Sequence, residues 1–448
     1  MNRVSVPGDK SLTHRALLLA SLATGESRIR NPLQGEDCMS TASALRALGV
    51  EVPPLSAGDG SVRITGVGLR GFTSPDADLD VGNSGTTARL LMGILAGQPD
   101  FVARLTGDAS LRSRPMRRVT VPLEKMGARF AELGEPDRLP IEIRGGDLRS
   151  LDYPSPIPSA QVKSAILLAG LVGGVPVSVT EPRRSRDHTE RLFATLGAPT
   201  VGHAVQGGWR VELRDPPPSL LPLDFTVPAD FSSAAFILAL GLLGGAGEET
   251  EIPGVCLNPT RTGLLRVLER MGAEDGLEIV HDGGAGSPDG SPAGVEPVGD
   301  LRVRPVSLRG IEVGASEVPD LIDEIPILSV LAARSEGETV LTGAGELRVK
   351  ESDRLSALAG NLSALGVSVE ELPDGLVIQG TDRPLRGRVP CFGDHRIAMA
   401  FGVLGALPGN AIEVKDPALA EVSFPGFWEE IRRLSDNPSA GRPGGLSP

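Results

Sequence analysis

The sequence of 448 residues is poor in aromatic side chains, in cysteine and in long apolar runs. Aromatic residues make up only 3%, so the core must be packed from Ala, Leu, Val and Ile. The three cysteines (Cys38, Cys256 and Cys391) are widely spaced, which indicates neither a disulfide framework nor a zinc site and suits a reducing cytoplasm. No apolar run reaches the roughly 20 residues of a membrane span, and the first residues have no signal or transit character. We therefore expect a cytoplasmic protein that does not bind membranes.

Excess positive charge and the common nucleotide-binding motifs are also lacking. The formal net charge is −13, which argues against nucleic acid and anionic membranes as partners. There is no GxxxxGK[ST] segment and no dinucleotide fingerprint after a strand, so neither kind of nucleotide site is predicted. The chain is too long for one ordinary core, and two large domains are expected.

Six apolar stretches rich in Ala and Leu stand out, and a polar segment precedes each of them. The stretches lie at 16–24, 90–97, 166–173, 236–244, 327–334 and 397–407. Their length and composition favour buried helices over strands. The polar segments would then lie at helix N-termini, where free N–H groups and the helix dipole favour anions. Several such termini aimed at one cleft predict a site for polyanionic small molecules.

The glycine turns that follow these stretches recur at a spacing near 75 residues, which indicates an internal repeat. A second element also recurs, an amphipathic stretch that ends at a glycine and runs into a strand. Its glycines are Gly49, Gly127, Gly197, Gly272 and Gly366. Glycine in the left-handed region is a common end of a helix, so each unit is predicted to hold two helices interleaved with strands. We predict six such units, three in each domain.

The domain boundaries follow from the repeats. Residues 1–8 and 229–448 are expected to form one discontinuous domain, and residues 9–228 the other, with the active site in the interdomain cleft. The segment 282–300 is rich in Gly, Pro and Ser and is predicted to be a mobile insertion. The tail 435–448 has the same character and is predicted to be disordered.

Each polar segment also has an ordinary structural explanation. Ser11 and Ser159 are good helix caps, the arginines of 183–186 could form a solvated face, and acids at a helix start complement the dipole. Their joint occurrence favours function, since bases and hydroxyls come from the first half and carboxylates from the second. This combination predicts two anionic ligands with acid and base groups at their junction. The remaining histidines show no partner pattern and are assigned no role: His14, His203 and His281.

Eight segments in order match one known family. They are PGDKSLTHRALL at 7–18, GNSGTTARL at 82–90, LTGDASLRSRPM at 105–116, PSAQVKSAI at 158–166, SRDHTER at 185–191, DLIDEIPI at 320–327, RVKESDRL at 348–355 and GDHRIAMAF at 393–401. From near residue 3 to about residue 428 the chain resembles the 5-enolpyruvylshikimate-3-phosphate (EPSP) synthases, also called 3-phosphoshikimate 1-carboxyvinyltransferases. The resemblance implies an α/β, two-domain enolpyruvyl transferase fold of six βαβαββ repeats (an inside-out α/β barrel), three per domain.

The resemblance implies a reaction that needs no cofactor and no metal. The 5-hydroxyl of shikimate 3-phosphate attacks C2 of phosphoenolpyruvate while C3 is protonated, and the intermediate then loses phosphate. The implied catalytic residues are Asp323, Glu351, Lys10 and His395. The implied contacts to shikimate 3-phosphate are Lys10, Ser11, Arg15, Ser159, Ala160, Gln161, Ser185, Arg186, Asp323 and Lys350. Those to phosphoenolpyruvate are Lys10, Asn83, Gly85, Arg114, Gln161, Arg354 and Arg396. These two substrates are the expected partners of a monomer.

Three positions bear on how closely the family pattern is followed. Val422 stands where some members have a lysine, so one phosphate contact is missing or supplied elsewhere. Glu346 stands where members of the first sequence class have an asparagine that contacts a hydroxyl. In this family the herbicide glyphosate competes with phosphoenolpyruvate, and insensitive members often carry alanine at the position of Gly85. Because Gly85 has no Cβ, the resemblance implies a glyphosate-sensitive enzyme.

Two alternatives remain at the level of sequence. A UDP-N-acetylglucosamine enolpyruvyl transferase would share the fold and the donor, but that family carries a cysteine in the loop corresponding to 105–116, which has none here. A non-catalytic phosphometabolite-binding protein would bind ligands without turnover. The presence of both proposed proton-transfer carboxylates, Asp323 and Glu351, favours an enzyme.

Overall fold

The computed structural model describes residues 1–55, 60–247, 249–281 and 296–435. Within them the chain forms two compact units, with boundaries after Pro7 and after Val227. The first unit holds the described residues of 8–227 and Glu296, and the second holds those of 1–7, 228–281 and 297–435. The greater part of the predicted insertion (282–295) and nearly all of the predicted tail (436–448) lie outside the described residues.

Thirteen α-helices occur in the described part of the chain. They are α1 (Lys10–Leu22), α2 (Glu36–Ala47), α3 (Gly85–Ala96), α4 (Ala109–Arg112), α5 (Arg117–Met126), α6 (Ala160–Gly173), α7 (His188–Thr195), α8 (Phe231–Leu242), α9 (Gly263–Arg270), α10 (Ile325–Ala333), α11 (Arg354–Ala364), α12 (His395–Ala406) and α13 (Phe427–Leu434). Short 3₁₀ segments lie at Ala273–Asp275, Val318–Asp320, Ile322–Glu324, Gly345–Val349 and Pro417–Val422.

The strands are short and alternate with the helices. They are β1 (Asn2–Arg3), β2 (Thr24–Arg30), β3 (Ser61–Val67), β4 (Leu79–Asp80), β5 (Val102–Thr106), β6 (Arg129–Glu132), β7 (Ile141–Arg144), β8 (Leu151–Pro154), β9 (Val177–Glu181), β10 (Val201–Val205), β11 (Gly208–Leu213), β12 (Asp224–Thr226), β13 (Thr250–Cys256), β14 (Leu277–His281), β15 (Val298–Val303), β16 (Glu312–Val313), β17 (Glu338–Leu341), β18 (Val369–Leu372), β19 (Gly375–Gln379), β20 (Arg386–Val389) and β21 (Ala411–Val414).

The described strands form six small sheets, three in each unit. Four of the sheets share one plan, in which a parallel pair is extended by an antiparallel hairpin; their orders are β4-β5-β7-β6, β8-β9-β11-β10, β1-β13-β15-β14 and β16-β17-β19-β18. The other two sheets, β12-β2-β3 and β20-β21, are shorter versions that keep the parallel pair. The repeated plan confirms the predicted α/β fold of βαβαββ units.

All six apolar stretches are helices, as the sequence predicts. They form the bodies of α1, α3, α6, α8, α10 and α12, and every residue of α8 and α12 is buried. Five of these helices begin at a residue whose side chain accepts a backbone N–H of the first turn: Asp9, Ser84, Ser159, Asp230 and Asp394. Such capping satisfies donors that a helix start otherwise leaves free, and it fixes where each buried helix begins.

The five glycines predicted to end the amphipathic helices all have positive φ angles. The values are 88° at Gly49, 118° at Gly127, 82° at Gly197, 96° at Gly272 and 89° at Gly366. They follow α2, α5, α7, α9 and α11, so the second helix of five repeats ends as predicted. Because L side chains rarely adopt this backbone conformation, glycine is required at these helix ends.

Two details differ from the sequence prediction. No strand directly follows Gly49 in the described residues 50–55, and β3 begins only at Ser61. Pro53 and Pro54 lack the backbone N–H groups that hydrogen bonds between paired strands require. The end of the predicted insertion is not irregular, since 298–300 open β15 and pair with β13 and β14. The burial pattern of β15 alternates between buried and half-buried, which is typical of a strand with one face on the core. No helix in the described ranges is long and apolar enough to cross a membrane.

Candidate active site

The start of α3 in the first unit brings together polar groups from three segments. Asn83 donates through Nδ2 to Asp108 Oδ2 at 2.7 Å, and its Oδ1 accepts from Arg114 Nη2. A Cβ placed on Gly85 would lie 2.9 Å from Nη1 of Arg89 and 3.2 Å from Nη1 of Arg114. Two buried guanidiniums therefore lie against a helix N-terminus, an arrangement suited to an anion.

Gln161, on the first turn of α6, lies beside the same helix. Its Oε1 accepts from Arg89 Nη1 at 2.8 Å, and its Nε2 donates to Thr86 Oγ1 at 3.0 Å. We refer to Asn83, Gly85, Arg89, Arg114 and Gln161 as the anion cluster. Sequence reasoning missed Arg89, although it follows Gly85 by four residues and one helical turn therefore places it on the same face.

Lys10 and Ser11 are the first two residues of α1. The Nζ atom of Lys10 lies 2.9 Å from Oδ2 of Asp37 on α2, and both side chains are mostly buried. Ser11 is half-buried, and the helix start is fixed by Asp9, whose Oδ1 accepts the N–H of Leu12 at 2.9 Å. Lys10 is thus held at the helix start by a carboxylate rather than left in solvent.

Arg15 lies one turn further along α1 and is buried. It donates to Thr189 Oγ1 at 2.8 Å, to the Ser11 carbonyl at 2.9 Å and to Ser164 Oγ at 3.2 Å. Burial lowers the pKa of its guanidinium to about 10, against the opposing influence of Glu190. Arg15 remains a cation at neutral pH, with its orientation set by neutral groups.

A buried carboxylate joins the two serines that the sequence assigns to the phosphate of shikimate 3-phosphate. Glu181, at the end of β9, accepts the N–H of Ser159 at 2.9 Å and the hydroxyl of Ser185 at 2.8 Å. Lys163 lies 3.3 Å from Glu181 and 2.7 Å from Glu190, with no exposed side-chain surface. Burial opposes the charge on Lys163, but Glu190 and Glu181 outweigh it and raise the pKa of its ammonium group.

We call Ser159, Lys163, Glu181 and Ser185 the serine cluster. Ala160 opens α6 directly after Ser159, and Arg186 follows Ser185 and is half-buried. Neither Lys163 nor Glu181 was singled out from the sequence. Glu181 gives no local signal, because its partners lie 22 residues before it and 4 residues after it.

The second unit holds a different arrangement, centred on the buried guanidinium of Arg354. Its Nε lies 2.7 Å from Oδ2 of Asp394, its Nη2 lies 2.7 Å from Oε2 of Glu351, and its Nη1 lies 3.6 Å from Oδ1 of Asp323. Burial opposes the charge, but Asp394 and Glu351 outweigh it and raise the pKa of Arg354. Among the described residues Nη1 makes no hydrogen bond, so one donor remains for a ligand.

Further cations lie around Asp323 in the same unit. Lys350 Nζ and Arg396 Nη2 are each 4.0 Å from its carboxylate, and Arg396 Nη1 donates to its backbone carbonyl at 2.8 Å. His395 opens α12 and is buried, and Asp394 caps that helix by accepting the N–H of Arg396 at 2.9 Å. We call Asp323, Glu351 and Asp394, with Arg354 between them, the carboxylate cluster.

The predicted site residues thus assemble within each unit. In the first unit Asn83, Gly85, Arg114 and Gln161 meet in the anion cluster, and Ser159 and Ser185 meet at Glu181. The second unit gathers its predicted residues around one carboxylate and one guanidinium; they are Asp323, Lys350, Glu351, Arg354 and Arg396. The first arrangement supplies donors for anions, and the second supplies carboxylates for proton transfer.

Comparisons with known proteins agree in one family. The family model described as EPSP synthase (3-phosphoshikimate 1-carboxyvinyltransferase) matches residues 1–431. A 3-phosphoshikimate 1-carboxyvinyltransferase of Thermus thermophilus is 50% identical over 435 residues, which cover 96% of each chain. The enzyme of the same name from Desulforamulus reducens is 46% identical over 438 residues, again 96% of each chain.

Solved structures give the same picture. EPSP synthase from Acinetobacter baumannii superposes with a TM-score of 0.81 at 38% identity, covering 97% of this chain and 95% of that one. The enolpyruvyl transferase NikO from Streptomyces tendae superposes with a TM-score of 0.75 at 19% identity, covering 97% of this chain and 94% of that one. The second likeness is evidence of a shared fold alone.

Proposed function

The chain belongs to the EPSP synthase family, and from this premise we propose how its own residues divide the work of the reaction. The family's enzyme, 3-phosphoshikimate 1-carboxyvinyltransferase, transfers the enolpyruvyl group of phosphoenolpyruvate to the 5-hydroxyl of shikimate 3-phosphate in aromatic amino acid biosynthesis. The alternatives, transfer to a nucleotide sugar and binding without turnover, are not favoured. The assignments of single residues below are proposals.

The anion cluster binds the phosphate of phosphoenolpyruvate in this proposal. Arg114 and the N–H groups at Gly85 are the donors, Asn83 orients Arg114, and Gln161 and Lys10 complete the set. A guanidinium and a helix N-terminus together offer several hydrogen bonds and positive charge, which is what a phosphate requires. The close approach of both arginines to the Cα of Gly85 supports this assignment.

The serine cluster and α1 bind shikimate 3-phosphate. Ser159, Ala160 and Gln161 present the start of α6 to its phosphate, together with Ser185 and Arg186. Ser11 and Arg15 bind the other end of the substrate, with Arg15 on the carboxylate. The fixed orientation of Arg15 supports this role, since its hydrogen bonds to Thr189 and Ser164 leave little freedom to the guanidinium.

The carboxylate cluster carries the proton transfers. Asp323 accepts the proton of the 5-hydroxyl as it attacks C2, and Glu351 supplies a proton to C3 and takes one back from C3 as phosphate leaves, with Lys10 and His395 in support. Arg354 and Arg396 bind the carboxylate of phosphoenolpyruvate, and Lys350 contributes to binding the phosphate of shikimate 3-phosphate. The buried Nη1 of Arg354 supports the carboxylate contact, because this donor has no hydrogen-bond acceptor among the described residues.

One observation carries the proposal: residues far apart in the sequence assemble into clusters whose chemistry matches the groups of the two substrates. The test is phosphate release from phosphoenolpyruvate with shikimate 3-phosphate, compared with UDP-N-acetylglucosamine as the acceptor. We expect phosphate to form one-to-one with the enolpyruvyl ether, and only with shikimate 3-phosphate. Turnover with the nucleotide sugar alone, or binding of both substrates without phosphate release, would contradict it.

We also propose that the enzyme is a monomer that acts in the cytoplasm without nucleic-acid or membrane partners. The net charge of −13 and the wide spacing of the three cysteines support the compartment and the absence of nucleic-acid and membrane partners. Light scattering coupled to size-exclusion chromatography should give a mass near the 46.6 kDa of one chain. A mass of twice that value at micromolar concentration would contradict the monomer.

A further inference from the structure

A chain of buried hydroxyl groups joins the first three helices of the first unit. Nδ1 of His14 on α1 lies 2.7 Å from Oγ1 of Thr41 on α2, which lies 2.6 Å from Oγ1 of Thr87 on α3. The Thr87 oxygen lies 2.7 Å from Oγ of Ser84, the cap of α3. All four side chains are buried. We call Ser84, Thr87, Thr41 and His14 the hydroxyl chain.

One direction of donation gives every hydroxyl proton of the hydroxyl chain an acceptor. Each hydroxyl has one proton to donate, and Ser84 Oγ also accepts the N–H of Thr87 at 3.2 Å. Either oxygen of a pair can be the donor, and the direction that ends on the ring runs from Ser84 to Thr87, from Thr87 to Thr41, and from Thr41 to Nδ1 of His14. The alternative acceptor for Thr41, the Asp37 carbonyl, is 3.4 Å away and makes a weaker contact.

In this direction His14 is a neutral ring that carries its proton on Nε2. That atom faces Sγ of Cys38 at 3.9 Å. Burial lowers the pKa of His14 to about 3, so the ring stays an acceptor at Nδ1 throughout the neutral range. Protonation would turn Nδ1 into a donor and leave Thr41 without its acceptor.

The three helices joined in this way carry groups assigned to phosphoenolpyruvate. Lys10 opens α1, Asp37 on α2 holds its ammonium group at 2.9 Å, and Asn83 and Gly85 flank the cap of α3. A shift of α3 relative to its neighbours would move Gly85 against the guanidinium of Arg114, whose Nη1 lies 3.2 Å from where a Cβ on Gly85 would be. Small displacements of this kind weaken binding, because the donors no longer point at the bound anion.

We propose that His14 and Thr41 are positioning residues for phosphoenolpyruvate, which fix the start of α3 relative to Lys10 through the hydroxyl chain. The inference rests on the proposed assignment of the anion cluster to that substrate. Neither residue touches substrate in this proposal, but both position groups that are assigned to phosphoenolpyruvate. Their loss should therefore weaken the binding of phosphoenolpyruvate and not that of shikimate 3-phosphate. A role in general stability would instead lower the amount of folded enzyme, and with it the apparent kcat, without changing either KM.

The test is Thr41→Val, which keeps the shape of the side chain and removes the two short contacts of Thr41, leaving only the 3.5 Å contact between Thr87 Oγ1 and Nδ1 of His14. We expect the KM for phosphoenolpyruvate to rise about 10-fold, with kcat and the KM for shikimate 3-phosphate within about two-fold of the wild type. Thr41→Ser keeps the hydroxyl and should restore the KM for phosphoenolpyruvate. Thr339→Val is the matched control, since Thr339 is buried in the second unit and its hydroxyl has no hydrogen-bond partner among the described residues.

A folded Thr41→Val enzyme with an unchanged KM for phosphoenolpyruvate would overturn the inference. So would equal changes in both KM values and kcat, or a Thr41→Ser enzyme as impaired as the valine variant. If Thr41→Val does not fold, Thr87→Val cuts the neighbouring link and is judged by the same criteria. A wild-type enzyme that releases no phosphate from the two substrates would instead overturn the proposed function, and the inference with it.

Discussion

The two units surround the buried arginines of the candidate site in different ways. In the first unit, neutral partners orient the guanidiniums of Arg15 and Arg89 through Thr189, Ser164 and Gln161. In the second unit, Arg354 lies among three carboxylates. A cation oriented by neutral groups keeps its charge for a ligand, whereas the carboxylates around Arg354 are the groups proposed to exchange protons. The proposed function therefore places binding mainly in the first unit and proton transfer mainly in the second.

Steady-state kinetics can test this division, because changes in substrate binding appear in KM and changes in the chemical step appear in kcat. Loss of a group that acts equally on the ground state and the transition state raises KM. Loss of a group that acts only in the transition state lowers kcat. Substitutions in the carboxylate cluster should therefore change kcat, and substitutions in the first unit should change KM.

The largest effect is expected for Asp323→Asn and Glu351→Gln, each of which keeps the shape of the side chain and removes the titrating group. The kcat should fall roughly 10²-fold or more in each variant, because the neutral amide cannot accept or supply the proton assigned to the carboxyl group. Both KM values should change much less. The measurement is steady-state phosphate release at saturating concentrations of both substrates.

Glu371→Gln is the matched control for these variants. Glu371 lies in the same unit and pairs with Arg348 at 2.8 Å, outside the carboxylate cluster. Its loss should leave kcat within about two-fold of the wild-type value, since an exposed ion pair contributes little to the stability of the fold. Near-wild-type turnover by both Asp323→Asn and Glu351→Gln would show that the proton transfers occur elsewhere.

Arg15→Lys should give the next largest effect, and it should appear in KM. The substitution keeps the charge but loses the planar fork that donates to Thr189, Ser164 and the Ser11 carbonyl. The KM for shikimate 3-phosphate should rise by about 10-fold to 100-fold, with kcat and the KM for phosphoenolpyruvate changing only a few-fold. A fall in kcat as large as the rise in KM would break the division between the units.

Gly85→Ala should have a smaller effect, and the effect should differ between two ligands of the same site, phosphoenolpyruvate and glyphosate. The added methyl group would lie 2.9 Å from Arg89 Nη1 and 3.2 Å from Arg114 Nη1, so both guanidiniums must move. The KM for phosphoenolpyruvate should rise roughly five-fold, and the inhibition constant of the longer ligand glyphosate should rise more.

Inhibition curves against phosphoenolpyruvate measure both effects of Gly85→Ala. Gly360→Ala is the control, because that glycine also lies in a helix and a Cβ there would meet nothing within 4 Å. Equal sensitivity of the Gly85→Ala and wild-type enzymes to glyphosate would show that Gly85 does not set the width of the site.

Local patterns predicted most of the helical framework. The buried helices follow from apolar stretches behind capping residues, and Gly127 and Gly366 end helices because few other residues adopt their φ angles. The described residues 50–55 after Gly49 form no strand, because two prolines there lack the N–H groups that pairing between strands requires. At this position the local sequence outweighs the repeat pattern. The internal repeat predicted the six βαβαββ elements of the fold. The residues next to each helix and strand determine where that helix or strand begins and ends.

The buried partners of the site could not be predicted in the same way. The Glu181 carboxylate joins Ser159 to Ser185 only because β9 ends beside the start of α6. His14 is one residue from Arg15, yet its partners Thr41 and Thr87 lie on other helices. Motifs identify residues that meet substrates, whereas residues that hold those motifs in place depend on packing between elements distant in sequence.

His14 allows a last and smaller test of the first unit, through stability against pH. Burial lowers its pKa from 6.5 to about 3, so the unfolded chain binds a proton below pH 6.5 that the folded chain does not. Stability is therefore unaffected above pH 6.5 and falls as the pH drops from 6.5 towards 3, by about 2 kcal/mol at pH 5. Burial, Lys10 and Arg15 all oppose the protonated ring, and together they outweigh Asp37, which favours it.

His14→Gln retains an acceptor for Thr41 but cannot titrate, so its stability should change less than that of the wild type between pH 7.5 and pH 5. In a Trp428→Phe background, the fluorescence of Trp209 reports unfolding of the first unit, because these are the two tryptophans of the chain. The wild type should lose about 2 kcal/mol more than His14→Gln over this interval, a difference of several degrees in Tm. His203→Gln, at an exposed position of the same unit, should behave like the wild type. Equal losses in all three proteins would show that His14 is free to protonate in the folded chain, and the first unit would then not be held by a neutral buried network.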